Sequence, residues 1–483
     1  ASASPGAQPT GVNERPLAAH AIKYRIQPRA DIEWRIRPDV FVPYGTRESV
    51  RMNHTTSRRG ALAIRRILAW RKGLLALLLL ACCAAGCANR ATNVASGPAP
   101  VEPILILVSF DGFRWDYPDR GVSPNLAALE ARGVRAEGLI PAFPTKTFPN
   151  HYTMVTGLLP DHHGIVANTM WDPSFDGRFS MANRDAVQDG RWWGGEPVWV
   201  TAERHGQRTA PLFWPGSEAE IEGFSASHWL PFDGEMPNSD RVEWILDLVD
   251  RPADQRPSFL TLYFDETDIV GHNSGPDSEE ILDAIAVVDS ALGLLVDGLD
   301  RRGLLETTNI VVVSDHGMSP TSRERVVFVD DYVDLETARI IDWNPVVALW
   351  PEEDDLVEVY ESLRDAHPHV SVYWKDSIPP HFQYGSHPRI PPIIGIADDG
   401  WTIATHPFFD RVPEAADGGN HGFDHHAPDM QGIFVAAGPS FPVGVRVPAF
   451  RNVNVYLLVM EALGLPAAEG DGDFSEVDGI LVD

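Results

Sequence analysis

The sequence predicts an α/β protein: a mainly parallel sheet sandwiched by helices, with a smaller inserted subdomain. Three observations carry this. Short apolar runs such as ILILVSF and FLTLYF have the look of strands buried on both faces. They alternate with long helical patterns, of which EEILDAIAVVDSALGLLVDGLDRRG is the clearest. Residues 335–415 then depart from this grammar, being richer in Pro, Trp and acidic residues.

In chain order, the first strand ends in Asp111 and Gly112, and Ser123–Pro124 opens a helix that Gly133 stops. SFLTLYF, the long helix and the strand NIVVVSDHG repeat the unit. GIFVAAGP and the helical VNVYLLVMEALG close the body. No internal repeat is present. At 483 residues with 44% hydrophobic and 22% charged content, the chain can bury a sizeable core.

The amino end reads differently. Residues 52–87 form a basic segment followed by a leucine-rich run of roughly 14 residues from Gly73 to Gly86, shorter than the ~20 that span a bilayer. This is the pattern of an export leader, with Cys87 as a lipoprotein anchor or, alternatively, plain secretion. The box before Cys87 is Ala84, Ala85, Gly86 rather than one beginning with Leu, and Arg58–Arg59 is a weak twin-arginine signal. An exported chain, periplasmic, lipid-anchored or secreted, is the expectation. Residues 1–51 stay unassigned, 88–100 read as a tether, and 101–475 as the catalytic domain.

Charge and cysteine usage exclude several classes. Residues 1–87 carry 14 Lys/Arg against 5 Asp/Glu, leaving 25 against 63 for the rest. Such a body repels polymeric nucleic acid, whose binding needs basic neutralising groups. Cys82, Cys83 and Cys87 are the only cysteines, so the body has neither disulfides nor thiolate metal sites. A metal there must be held by His and carboxylate.

In parallel sheets, function gathers beyond the carboxyl ends of the strands. Asp111 ends the first strand, Asp268 and His272 follow FLTLYF as D-I-V-G-H, Asp315 and His316 end IVVVS, and His421 stands in GGNHGFDHH just before a strand. Each piece alone is common. Together, six oxygen and nitrogen ligands suit two zinc ions, each with three protein ligands and an open position. Three carboxylates and two Zn²⁺ leave a local charge of about +1, an attraction for phosphate inside an acidic protein.

FDGFRWDY, FPTKTFPNHYTMVTG, HGIVANTMWDP, GEPVWVTAERHG, FWPGSE, DETDIVGHNSGP, VVVSDHGM, RIPPIIGIADDGW and HGFDHH follow one another in order from about Ile104 to Leu465. This series resembles the motifs of the nucleotide pyrophosphatase/phosphodiesterase family of the alkaline phosphatase superfamily. The resemblance implies one zinc on Asp111, Asp315 and His316, and a second on Asp268, His272 and His421, with Asp265 as an alternative ligand by local spacing. It makes Thr147 the nucleophile and gives Asn168 a hydrogen bond to a phosphate oxygen. A threonine hydroxyl needs a metal or base to attack, and a helix starting at Thr147 would aim its N–H groups at the phosphate. Without the metal residues, Thr147 reads as a helix N-cap.

For the substrate, the resemblance places Phe148 and Phe232 around a base, Met181 as an apolar wall, and Trp214 and Glu218 near base or sugar. Trp229 competes with Phe232. These imply a small nucleotide, cleaved to a nucleoside 5′-monophosphate through a phospho-threonine ester. A choline-phosphate or lysophospholipid esterase of the same fold is the alternative, and a zinc-binding lipoprotein without turnover is a third reading. No Arg stands out for the second charge of a terminal phosphate. His425 and His426 are expected to be surface residues rather than an extra metal site.

Overall fold

The structure, a computed structural model, describes residues 103–482. The expected leader, the tether and Cys87 lie outside the described residues. Among the described residues, no helix is long and apolar enough to cross a membrane.

The sheet has seven strands. Their spatial order is Val445–Val447, Gly133–Ala136, Phe434–Ala437, Thr308–Val313, Ile104–Phe110, Phe259–Phe264 and Thr209–Pro211. Phe434–Ala437 pairs antiparallel with both its neighbours, and every other pairing is parallel. The sheet is therefore mainly parallel, as the apolar runs predict.

Strand periodicity explains why those runs carry no polar alternation. Successive side chains point to opposite faces, and both faces are covered. Leu105, Leu107, Val311, Val313, Phe434 and Ala436 enter one core, with helices Thr147–Thr156 and Val455–Leu463. Ile104, Ile106, Val108, Ile310, Val312, Val435 and Ala437 enter the other, with helices Asn238–Val249 and Glu279–Arg301. A polar residue at any of these positions would be buried without water.

Within the 335–415 stretch lies a four-stranded antiparallel sheet, ordered Ala338–Asp342, Val346–Pro351, Ile393–Ala397 and Val370–Trp374. Val347, Leu349 and Ile393 pack on helix Leu356–Leu363 in a core of their own. Val346, Ala348 and Ile394 face the first core. This division again follows from strand alternation.

One placement differs from the expectation. His421 does not lead directly into Phe434–Ala437. It follows a three-residue strand, Gly418–Asn420, that pairs antiparallel with Ser319–Thr321. The reason is local: three glycine- and asparagine-type residues have no apolar periodicity to announce a strand, yet the ladder sets His421 beside the segment that carries His316.

Candidate active site

The six expected ligands meet at one mouth. His316 Nε2 lies 3.0 Å from Asp315 Oδ2 and 3.5 Å from Asp111 Oδ1. Asp268 Oδ1 lies 3.4 Å from His272 Nε2 and 3.5 Å from His421 Nε2. The His316 and His421 rings stack with centroids 3.6 Å apart, which joins the two groups. Asp111, Asp315 and His316 form one set able to hold a cation, and Asp268 and His421 form another that also reaches His316.

Local structure brings them there. Asp111 follows the central strand directly. Asp268 and His272 are four apart on helix Glu266–Ser274, one face and one turn. Gly112, at φ +64°, has its missing Cβ site 2.9 Å from the Asp268 Cα, so the backbones of the two groups touch. Only glycine allows that approach in a left-handed conformation.

The hydrogen bonds prepare ring nitrogens for a cation. Nδ1 of His316 donates to the Gly317 carbonyl (2.9 Å), Nδ1 of His421 to Thr145 (2.8 Å), and Nδ1 of His272 to Gly419 (2.9 Å). All three therefore present a bare Nε2 lone pair, the arrangement that orients imidazole ligands. Tyr263 donates its hydroxyl to Asp111 Oδ2 at 2.6 Å. Four buried atoms are left without any hydrogen-bond partner: Asp111 Oδ1, Asp268 Oδ1, Asp315 Oδ2 and His316 Nε2. Orphaned acceptors are costly, and here they converge. In a tetrahedral shell with bonds near 2.1 Å, neighbouring ligand atoms sit about 3.4 Å apart. The 3.0–3.5 Å separations at this mouth match that edge length. The residues fit divalent cations.

The electrostatics point the same way. Burial pushes the Asp111 carboxyl well above the carboxylate range, and Asp315 and Asp268 push it further. Burial alone would raise Asp315 too, but His316 and His151 hold it well below. Burial acts to lower His316, and Asp315 overcomes this and raises it. Burial, then His316 and His272, keep His421 neutral. Burial thus favours the protonated form of the Asp111 carboxyl, and a cation bound there would displace that proton.

Thr147 is the first residue of helix Thr147–Thr156, and Lys146 is the N-cap, with no side-chain capping bond. The loop before it is tied to the cluster, since Thr145 accepts from His421 through its carbonyl and from Gly422 N–H through Oγ1 (2.8 Å). One turn later, His151 approaches the Thr147 carbonyl at 2.9 Å, Asp315 Oδ2 at 3.4 Å and Ser109 Oγ at 2.8 Å. Asn168 Oδ1 accepts from the Phe148 N–H at 2.9 Å, which leaves its NH₂ group as donor.

The base-side residues divide. Met181 and Phe232 are 43% and 39% exposed. Phe148 is interior, against Phe179 and Trp193. Trp214 is 1% exposed beneath His151, to whose carbonyl its Nε1–H donates. Glu218 is engaged by Arg184, by Gln188 (3.0 Å) and by the Phe232 N–H (3.0 Å), so it anchors the loop that presents Phe232. Asp265 faces Arg241 at 3.4 Å. Sequence reasoning did not single out His151, Tyr263 or Lys146, which pairs with Asp342 of the insertion. The one available signal was the i, i+4 spacing of Thr147 and His151. His425 is buried, not a surface residue: it is 8% exposed, with the Phe382 ring beside it.

Comparison with known proteins gives a consistent result. Residues 105–424 match the family described as type I phosphodiesterase / nucleotide pyrophosphatase. Human ectonucleotide pyrophosphatase/phosphodiesterase family member 5 is 36% identical over 79% of each chain. The bis(5′-adenosyl)-triphosphatase of Mus musculus is 36% identical over 79% of this chain and 82% of that protein. Among solved structures, an inactive threonine-to-alanine form of murine ectonucleotide pyrophosphatase/phosphodiesterase 5 in complex with AMP superimposes with a TM-score of 0.75, at 36% identity, covering 79% of this chain and all of the other.

Proposed function

Because this chain belongs to the type I phosphodiesterase/nucleotide pyrophosphatase family and is a hydrolase of that kind, we propose that it uses two zinc ions and Thr147 to cleave nucleotide phosphodiester and phosphoanhydride bonds, releasing nucleoside 5′-monophosphates. The observation that carries this reading is the convergence of four orphaned buried ligand atoms at one mouth beside the start of the Thr147 helix. Cations bound there would supply positive charge to the phosphate oxygens and bring an alcohol into its reactive range.

The chain's own groups do the rest. Thr147 Oγ forms a bond to the nucleotide-side phosphorus while the bond to the leaving oxygen breaks opposite it, giving a phospho-threonine ester. Water then hydrolyses that ester. Asn168, its Oδ1 already occupied by Phe148, donates from its NH₂ to a phosphate oxygen. The amino end of the ten-residue helix adds its partial positive charge. His151 holds the first helical turn against Asp315. Phe232 and Met181 offer exposed apolar faces to a base, an arrangement tolerant of base identity. The complex of the murine relative with AMP supports a nucleotide as substrate. We likewise propose residues 101–475 as the catalytic domain, and residues 52–87 as an export leader, with membrane attachment only through lipidated Cys87.

The test uses p-nitrophenyl nucleotide and p-nitrophenyl phosphorylcholine, with wild type and Thr147→Ala. We expect nucleotide turnover in wild type, its loss with chelator, and at least a thousandfold loss in Thr147→Ala at normal zinc content. Retained turnover in that variant refutes the nucleophile. Preference for the choline ester refutes the substrate class.

A further inference from the structure

We infer that the chain carries a third divalent-cation site, separate from the catalytic mouth, formed by His381, Asp424 and His426. His381 belongs to the short turn Pro380–Phe382 of the insertion, and Asp424 and His426 to the loop after His421. His381 Nε2 lies 3.4 Å from Asp424 Oδ2, and His426 Nδ1 lies 3.4 Å from Asp424 Oδ1. One ligand atom from each of the three residues falls within a sphere of mutual separation below 4.8 Å.

The two 3.4 Å separations are those of ligand atoms around a shared cation. They exceed a normal hydrogen bond, and they repeat the 3.4–3.5 Å edges found between His272, His421 and Asp268 at the catalytic mouth. A second observation is independent of them. His425 Nδ1 is buried without a partner, 3.6 Å from Asp424 Oδ1, and is the one orphaned imidazole nitrogen outside the catalytic cluster among the described residues. Two imidazoles and a carboxylate, with a third imidazole alongside, suit zinc-class ions rather than calcium or magnesium, which prefer oxygen shells. The exposure of His381 and His426 leaves room for water in the remaining positions.

The site is braced before any ion arrives. Phe382 packs on Phe143 with ring centroids 4.6 Å apart, and Thr145 holds the Phe423 carbonyl and the Gly422 N–H. A cation there ties the insertion to the loop that carries His421.

The experiment measures zinc per chain by mass spectrometry after dialysis of the holoprotein at a fixed micromolar free zinc, for wild type and for His381→Ala/His426→Ala. Wild type should hold one equivalent more than the variant. The variant should keep p-nitrophenyl nucleotide hydrolysis within about twofold, and should lose the rise in Tm that added zinc gives wild type. The readout is a difference between two forms, so it stands whatever the catalytic stoichiometry proves to be. Equal zinc in both forms overturns the inference. So does a variant that loses hydrolysis together with its zinc, because the histidines would then belong to the catalytic pair.

Discussion

Replacing Tyr263 by Phe removes one oxygen and leaves the ring, with its edge contacts to His151 (5.4 Å) and Phe232 (6.1 Å), in place. The lost group is the donor to Asp111 Oδ2 at 2.6 Å, between two buried residues. A hydrogen bond to a charged group contributes about 1.5–3 kcal/mol. That bond favours the ionised carboxylate, the form a cation requires, over the protonated form that burial favours. Its loss should therefore weaken cation binding by roughly 10–100-fold, the range typical of partners that orient metal ligands. The assay is hydrolysis of p-nitrophenyl nucleotide across a series of free-zinc buffers. The half-saturating zinc concentration should rise by that factor, while the rate at saturating zinc stays within a few-fold of wild type. An unchanged zinc dependence, with Asp111 intact, would refute the claim that Tyr263 prepares this ligand.

Gly112→Ala puts a methyl group 2.9 Å from the Asp268 Cα in a left-handed backbone conformation, so we expect a stability loss of at least ~1 kcal/mol and a fall in kcat/KM above tenfold, read by Tm and steady-state kinetics. Unchanged values would mean that the two ligand groups are not in rigid contact. For His163, burial pushes the imidazole down to about 3, so the folded state keeps it neutral while the unfolded state protonates it near 6.5. Its stabilising contribution is complete above pH 6.5 and is lost as pH falls, by about 2 kcal/mol at pH 5. His163→Gln should remove close to one proton from the slope of stability against pH between 6.5 and 4, measured by urea unfolding; an unaltered slope would place the titration elsewhere.

The central strands were legible because burial on both faces leaves an unbroken apolar run, and the ligands Asp111, Asp315 and His316 because they interrupt such runs at their carboxyl ends. Spacing alone left Asp265 beside Asp268 as a partner for His272, and the family resemblance pointed to Asp268; the structure turns Asp265 toward Arg241 instead. His421 was found, but its support was not, since a strand of Gly, Gly and Asn has no pattern. Tyr263 looked like one more apolar residue of FLTLYF, and nothing local reveals that its hydroxyl reaches Asp111. His425 follows Asp424 in a turn-like stretch and reads as exposed; the Phe382 and His381 rings that lie beside it are more than 40 positions earlier, and only the tertiary fold brings them close. Trp214 and Glu218 lie in FWPGSE as expected, yet their partners, the His151 carbonyl and Arg184, are set by packing rather than by spacing.

The pairing of Ser319–Thr321 with Gly418–Asn420 makes everything from 322 to 417 the tip of a single hairpin. The ends of that excursion are clamped a few residues from His316 and His421, so the ladder sets the spacing of those two imidazoles, while Asp342 and Arg389 tie the lobe itself to Lys146 and Asp172 of the body. A lobe exchanged at this junction would have to supply the apolar cover that Val346, Ala348 and Ile394 give the first core, and a carboxylate for Lys146 at the amino end of the Thr147 helix.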